Sequence, residues 1–75
     1  MIRKGMWCVD EDGRVGIAAE ISALGEAEFH LVDEEGATTL VVTVSASSLV
    51  QARYREIPEP RRAIGRDAFA ALGYE

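Results

Sequence analysis

Apolar and polar positions alternate through most of the first sixty residues, and short turn signals interrupt the alternation at regular intervals. Met6 to Val9 predicts a short strand, and Asp10-Glu11-Asp12-Gly13 predicts a turn with Gly13 at its positive-φ position. Val15, Ile17, Ala19 and Ile21 then alternate with Gly16, Ala18 and Glu20, which predicts a strand with one apolar face. After the Leu24-Gly25 turn, Glu28 to Val32 places Phe29 and Leu31 on one face and Glu28 and His30 on the other. Asp33-Glu34-Glu35-Gly36 repeats the acidic turn. Thr38 to Val44 is the most β-prone stretch, with Leu40, Val42 and Val44 on the expected inner face. Ser45-Ala46-Ser47-Ser48 suits a single 3₁₀ turn, because its hydroxyls can bond nearby backbone.

Val50 to Ile57 predicts a fifth strand, with Val50, Ala52 and Tyr54 alternating against Gln51, Arg53 and Arg55. Pro58 and Pro60 end the sheet. Arg61 to Leu72 has helical spacing: Ile64, Ala68, Phe69 and Leu72 form one stripe, and Gly73 sits at a C-cap. Gly65 within it costs about 1 kcal/mol relative to Ala, so this helix must lie on something. The expectation is a mainly β chain forming one domain, with five strands in residues 1–60 and a short C-terminal α-helix and tail in residues 61–75. Five short strands are too few for a two-sheet sandwich but enough for a bent sheet closing on itself.

Composition narrows the function. A chain of 75 residues is one domain, and with 48% hydrophobic and 28% charged residues it is too apolar for intrinsic disorder. No stretch approaches the roughly 20 apolar residues that a spanning helix needs, so no membrane role is expected. Met1-Ile2-Arg3-Lys4-Gly5 has the charge of a secretory leader without the apolar run behind it, and the expectation is a product that is not secreted. One Cys allows no internal disulfide, and one His beside it allows no Cys/His metal cluster, so neither metal nor cofactor is expected. A domain this small buries only about 60% of its unfolded surface, which favours oligomerising or docking onto a partner.

The residue types that carry chemistry are few. Asp10-Glu11-Asp12-Gly13 clusters carboxylates as a calcium loop does, but the twelfth position counted from Asp10 is Ile21, where such a loop needs Glu; a hairpin turn explains it better. His30 has no triad spacing and no Gly-x-Ser-x-Gly elbow to work with, and reads as a rim residue. Cys8 reads as a small buried hydrophobe. These absences point away from an enzyme.

The order of strand, acidic turn, strand, loop, hairpin, 3₁₀ turn and final strand resembles the small SH3-like barrels, including the KOW and Tudor groups. The residues that carry it are Lys4-Gly5-Met6-Trp7-Cys8-Val9 and Asp12-Gly13-Arg14-Val15-Gly16-Ile17, which look like the opening of those barrels, with Gly16 bending the second strand. The match covers residues 4 to about 57. In its size, its Glu56-Ile57-Pro58 ending and its helical tail, the chain also resembles small proteins of bacteriophage and prophage structural regions. That resemblance implies a host-cytoplasmic or virion-associated location.

Charge is unevenly placed. Residues 1–37 carry Arg3, Lys4 and Arg14 against nine acids, a net of −6; residues 38–75 carry five arginines against four acids, a net of +1. The expected interaction surface is Arg53, Arg55, Arg61 and Arg62, with Trp7 and the Ile64, Phe69 and Leu72 stripe. Trp7 faces outward if Met6 and Cys8 face in, and is the largest core residue otherwise. The stripe is either a lid on its own sheet or a docking face. The expected function is a non-enzymatic protein-interaction or assembly module, phage-encoded, that binds a protein partner or itself, as when acidic turns of one copy meet arginines of the next. The alternative is a KOW-like nucleic-acid-binding barrel, which the net charge of −5 opposes. The plainest reading of the arginines is that they solvate an edge strand.

Overall fold

A computed structural model describes residues 1–75. Four strands form an antiparallel meander: β1 (Met6–Val9), β2 (Val15–Ile21), β3 (Glu26–Val32) and β4 (Thr38–Ser45). A 3₁₀ turn at Ala46–Ser48 then returns the chain to β1, where β5 (Val50–Gln51) pairs through Cys8↔Gln51 and Val9↔Val50. The sheet order is β4-β3-β2-β1-β5, with β4 and β5 as its two edges. The ladder does not close between those edges. Two further 3₁₀ turns, Tyr54–Glu56 and Glu59–Arg61, lead to α1 (Arg66–Ala71).

All three hairpins of the meander use one turn design. In Asp10–Arg14, Ser22–Glu26 and Asp33–Ala37, the glycine N–H donates to the first residue's carbonyl, at 3.0 Å in each. The first residue's side-chain oxygen accepts two more backbone N–H groups: those of Asp12 and Arg14 at Asp10, Leu24 and Glu26 at Ser22, and Glu35 and Ala37 at Asp33. Gly13, Gly25 and Gly36 take φ of 81°, 82° and 86°, where a side chain is strained. The motif is therefore Asp or Ser, two free positions, then Gly. At Asp10 burial opposes ionisation, but the Arg14 N–H, its guanidinium at 2.8 Å and the Asp12 N–H outweigh it and hold the carboxyl below its ordinary value. The stability this contributes is present above that value and is lost as pH falls through the lowered one.

The sheet is apolar on both sides at its centre. On one face lie Cys8, Ala18, Ala27, Phe29 and Leu31, joined by Leu49 and flanked by Met6, Ile21, Val42 and Val44. On the other lie Trp7, Val9, Val15, Ile17 and Val32, covered by Ala52, Ile57, Phe69 and their neighbours. The expected single apolar face of β2 is divided between these two. A register shift between Ala18 and Glu20 inserts one residue, so Val15 and Ile17 face Trp7 whereas Ile21 joins the Phe29 side. On the expected inner face of β4, Val42 and Val44 pack into the Phe29 core, but Leu40 stays half exposed.

Gly16 is what lets Phe29 pack closely against β2. A methyl group at that position would run into the His30 carbonyl and lie 2.8 Å from the Phe29 ring. Gly16→Ala is therefore expected to cost about 1–3 kcal/mol through overpacking. Gly13→Ala, with open space around it, costs only its backbone strain, about 1 kcal/mol. Urea unfolding of the two variants measures the difference; equal losses would refute the close-packing account.

Candidate interaction surface

Residues 52–75 form a strap across the Trp7 face. Its anchor is a backbone group. The Trp7 carbonyl accepts the Ala52 N–H at 2.9 Å, but β5 ends there, so the Trp7 N–H has no strand partner on that side. It donates instead to the Tyr74 hydroxyl at 2.8 Å. The Tyr54 N–H donates to the Glu75 carbonyl at 2.6 Å, joining the two ends of the strap. Tyr54 and Tyr74 both meet Phe69 edge-on, with ring centroids 5.4 Å apart in each pair.

These contacts correct two sequence expectations. The fifth strand does not run to Ile57, because after Ala52 the backbone bonds to the tail and to its own turn, where the Glu56 carboxylate accepts the Arg53 N–H at 2.7 Å. Arg53 and Arg55 therefore flank and occupy a 3₁₀ turn and do not share a strand face. The helix does not span Arg61 to Leu72 either. Gly65, at φ 93°, closes a separate turn from Arg62, and a helix of only six residues starts after it. The stripe is accordingly dismantled: Phe69 is buried in the Trp7 cluster, while Ile64 and Leu72 are 64% and 63% exposed.

Trp7 is interior, at 8% exposure, and it belongs to the core on the side away from Cys8. Of the expected surface residues, Trp7 and Phe69 thus pack inside the chain. The arginines divide as well. The Arg61 guanidinium lies 5.5 Å from the Trp7 ring centroid and donates to the Gly36 carbonyl at 3.2 Å, tying the strap to the second acidic turn. Arg62 and Arg66 both lie over the Tyr54 ring, at 5.2 Å and 4.6 Å. Arg66 was outside the expected set; its spacing of four from Arg62, with an aromatic earlier in the segment, is the signal that marks it. Arg53 and Arg55 are exposed.

Where the strap meets the second acidic turn, a shallow cleft of about 510 Å³ has Val15, Val32 and Ile57 at its floor and Asp33, Arg55 and Arg62 among its polar residues. A separate, mostly apolar groove of about 870 Å³ lies between Ile2, Ile21, Leu49 and Val50. His30 lines none of the larger clefts. It sits on the sheet face between Ile17 and Val41, and its Nε2 is 2.7 Å from the Glu28 carboxylate. No group of three or more His, Cys, Asp or Glu side chains is placed to hold a metal, and no helix is long and apolar enough to cross a membrane.

The buried Cys8 and the half-buried Tyr74 set the alkaline behaviour. Burial pushes the Cys8 thiol up to about 11 from an ordinary 9.0, against a weaker lowering by hydrogen bonding to Ala18. Burial also raises the Tyr74 phenol from 10.0; the hydrogen bond from the Trp7 N–H works the other way, and the neighbouring Cys8 adds to the rise. Both hold their protons more tightly when folded, so their stabilisation is complete below the ordinary values and is lost as pH rises through the raised ones. The native chain is expected to lose stability from about pH 9 to about pH 11, with the Cys8 thiol resisting alkylation below that window. Thermal melts across the range and thiol labelling at neutral pH check this; rapid labelling of the folded chain would refute it. Tyr74→Phe leaves the Trp7 N–H without a partner and is expected to cost about 1–3 kcal/mol. Urea unfolding followed by the fluorescence of the single tryptophan reads that loss.

No protein-family model matches the sequence, and no significant match was found among curated proteins or solved structures.

Proposed function

We propose that this chain is a non-enzymatic interaction or assembly module of the SH3-like barrel kind, phage- or prophage-encoded, whose strap meets an acidic protein surface. The observation that carries the reading is the composition of the strap's outer side. It exposes two large apolar residues, Ile64 and Leu72, on the same segment as five arginines, two of them held over Tyr54. Arginine and aromatic residues are enriched at protein interfaces, and a guanidinium already stacked loses less freedom on binding. The strand order, with β5 returning to β1 after a 3₁₀ turn, supports the SH3-like assignment.

A second reading rests on the same arginines. Their concentration in one segment suits phosphate contacts, as in a KOW-like barrel, although the net charge of −5 slows the approach of a polyanion.

One variant tests both. Arg53→Ala/Arg55→Ala removes two exposed side chains outside the Trp7 and Tyr54 stacking. A photo-reactive residue placed at Ile64 or Leu72 is expected to cross-link to protein in cells producing the chain, and the adduct is expected to fade in the double variant. Fluorescence anisotropy with duplex DNA and single-stranded RNA at low salt is expected to be flat. Absence of any protein adduct, together with salt-dependent nucleic-acid binding lost in the same variant, would replace the first reading with the second.

A further inference from the structure

We propose that β4 is a self-association edge: two copies pair β4 to β4 in antiparallel sense about a two-fold axis at Val41, giving one continuous ten-stranded sheet. This contact uses none of the strap and stands apart from the function proposed above.

The two edges of the sheet differ. β5 offers two residues, but β4 offers eight, and Thr38-Thr39-Leu40-Val41-Val42-Thr43-Val44-Ser45 contains no charge, proline or glycine. Those are the features that usually blunt a free edge. A register shift beside Leu31 and Val32 leaves Thr39 as an extra residue, its hydroxyl donating to the Leu31 carbonyl at 3.4 Å, so the regular edge runs from Leu40 to Ser45. Leu40 and Val41 are 52% and 49% exposed, one on each face of the strand.

The backbone selects the occupant. The Ala46 N–H donates to the Gly25 carbonyl at 2.8 Å, so position 46, and by alternation Val44, Val42 and Leu40, direct their backbone groups toward β3. Val41 and Thr43 direct theirs to the open edge, and only another strand can pair such a row.

The side chains and charges select a second copy in antiparallel sense. About Val41 the strand is nearly a palindrome: Thr39 answers Thr43 and Leu40 answers Val42. An axis there sets Val41 against Val41 on one face and Leu40 against Val42 on the other. An axis at Thr43 would call on the Ser45 carbonyl, which already accepts the Ser48 hydroxyl at 2.7 Å. Antiparallel pairing also places the two Asp33-Glu34-Glu35 turns at opposite ends of the seam, ~20 Å or more apart and beyond the Debye length of ~8 Å. Parallel pairing would bring those acidic turns side by side.

The test is the mass of the full chain by sedimentation and light scattering over a broad concentration range. The expected result is a concentration-dependent species of twice 8.2 kDa. Val41→Lys and, at a second exposed edge position, Thr43→Lys are each expected to weaken the dimer at least tenfold while leaving the far-ultraviolet circular dichroism unchanged. Val41→Cys is expected to form an intermolecular disulfide under mild oxidation, because facing residues of a hydrogen-bonded antiparallel pair lie ~5.5 Å apart. Arg53→Ala/Arg55→Ala is expected to leave the dimer intact, so loss of strap binding and loss of dimerisation are read separately. A chain that stays monomeric at the highest concentration, a dimer that survives both lysine variants, or a dimer in which Val41→Cys does not link would overturn the proposal.

Discussion

Strand β1 has to be buried on both of its faces, and the rest of the chain is arranged around that requirement. Met6 and Cys8 point into the core that Phe29 fills, and Trp7 and Val9 point the opposite way. The sheet stays open between β4 and β5 and does not cover both sides by itself. One face is closed by β3, β4 and Leu49; the other needs a separate layer, and residues 52–75 supply it. The Trp7 N–H fixes where that layer sits, since it falls just past the end of β5 and finds its acceptor 67 residues away in Tyr74. A buried amide without that acceptor would cost as much as a large share of such a small domain's stability.

The strap is therefore a structural layer before it is a surface. Its helix is six residues long, too short to persist in water unaided, and it is held by Phe69 between two tyrosines and by the hydrogen bonds at its ends. This resolves how a chain of 75 residues without a disulfide in this structure completes its interior: it builds two small apolar clusters back to back on one sheet rather than one large one. Gly16 and Phe29 show how tightly the first is packed, and Arg61 shows how the second is sealed, with its stem laid against Gly36 and its guanidinium facing Trp7.

The β-rich class, the four strands of the meander and the hairpin turns were legible because each rests on local chemistry. A carboxylate or hydroxyl followed three residues later by glycine suffices to build the turn, whatever surrounds it. The features that were not legible depend on distant residues. Ala19 gives no local sign that β2 slips register there, since the slip serves to send Ile21 to the Phe29 side. The end of β5 after Gln51 is decided by the tail returning to Trp7 and Tyr54, and the burial of Trp7, on the side opposite Cys8, is decided by whether anything arrives to cover it. The alternation of Val50, Ala52 and Tyr54 fits a strand equally well without that knowledge.

The same distinction governs the arginines. Counted along the sequence, the segment carries five arginines, of which Arg53, Arg55, Arg61 and Arg62 read as a single basic surface. In the fold they occupy two roles. Arg61 spans from Gly36 to Trp7, and Arg62 and Arg66 lie on Tyr54, so three of the five have aromatic partners within the chain. A guanidinium can stack on a ring and still present its N–H fork to solvent, whereas an ammonium held in water offers no comparable flat surface. Arginine in this strap therefore packs on a ring while its N–H fork can still face solvent, and lysine at positions 61, 62 and 66 would keep the charge while losing the contacts that hold it in place.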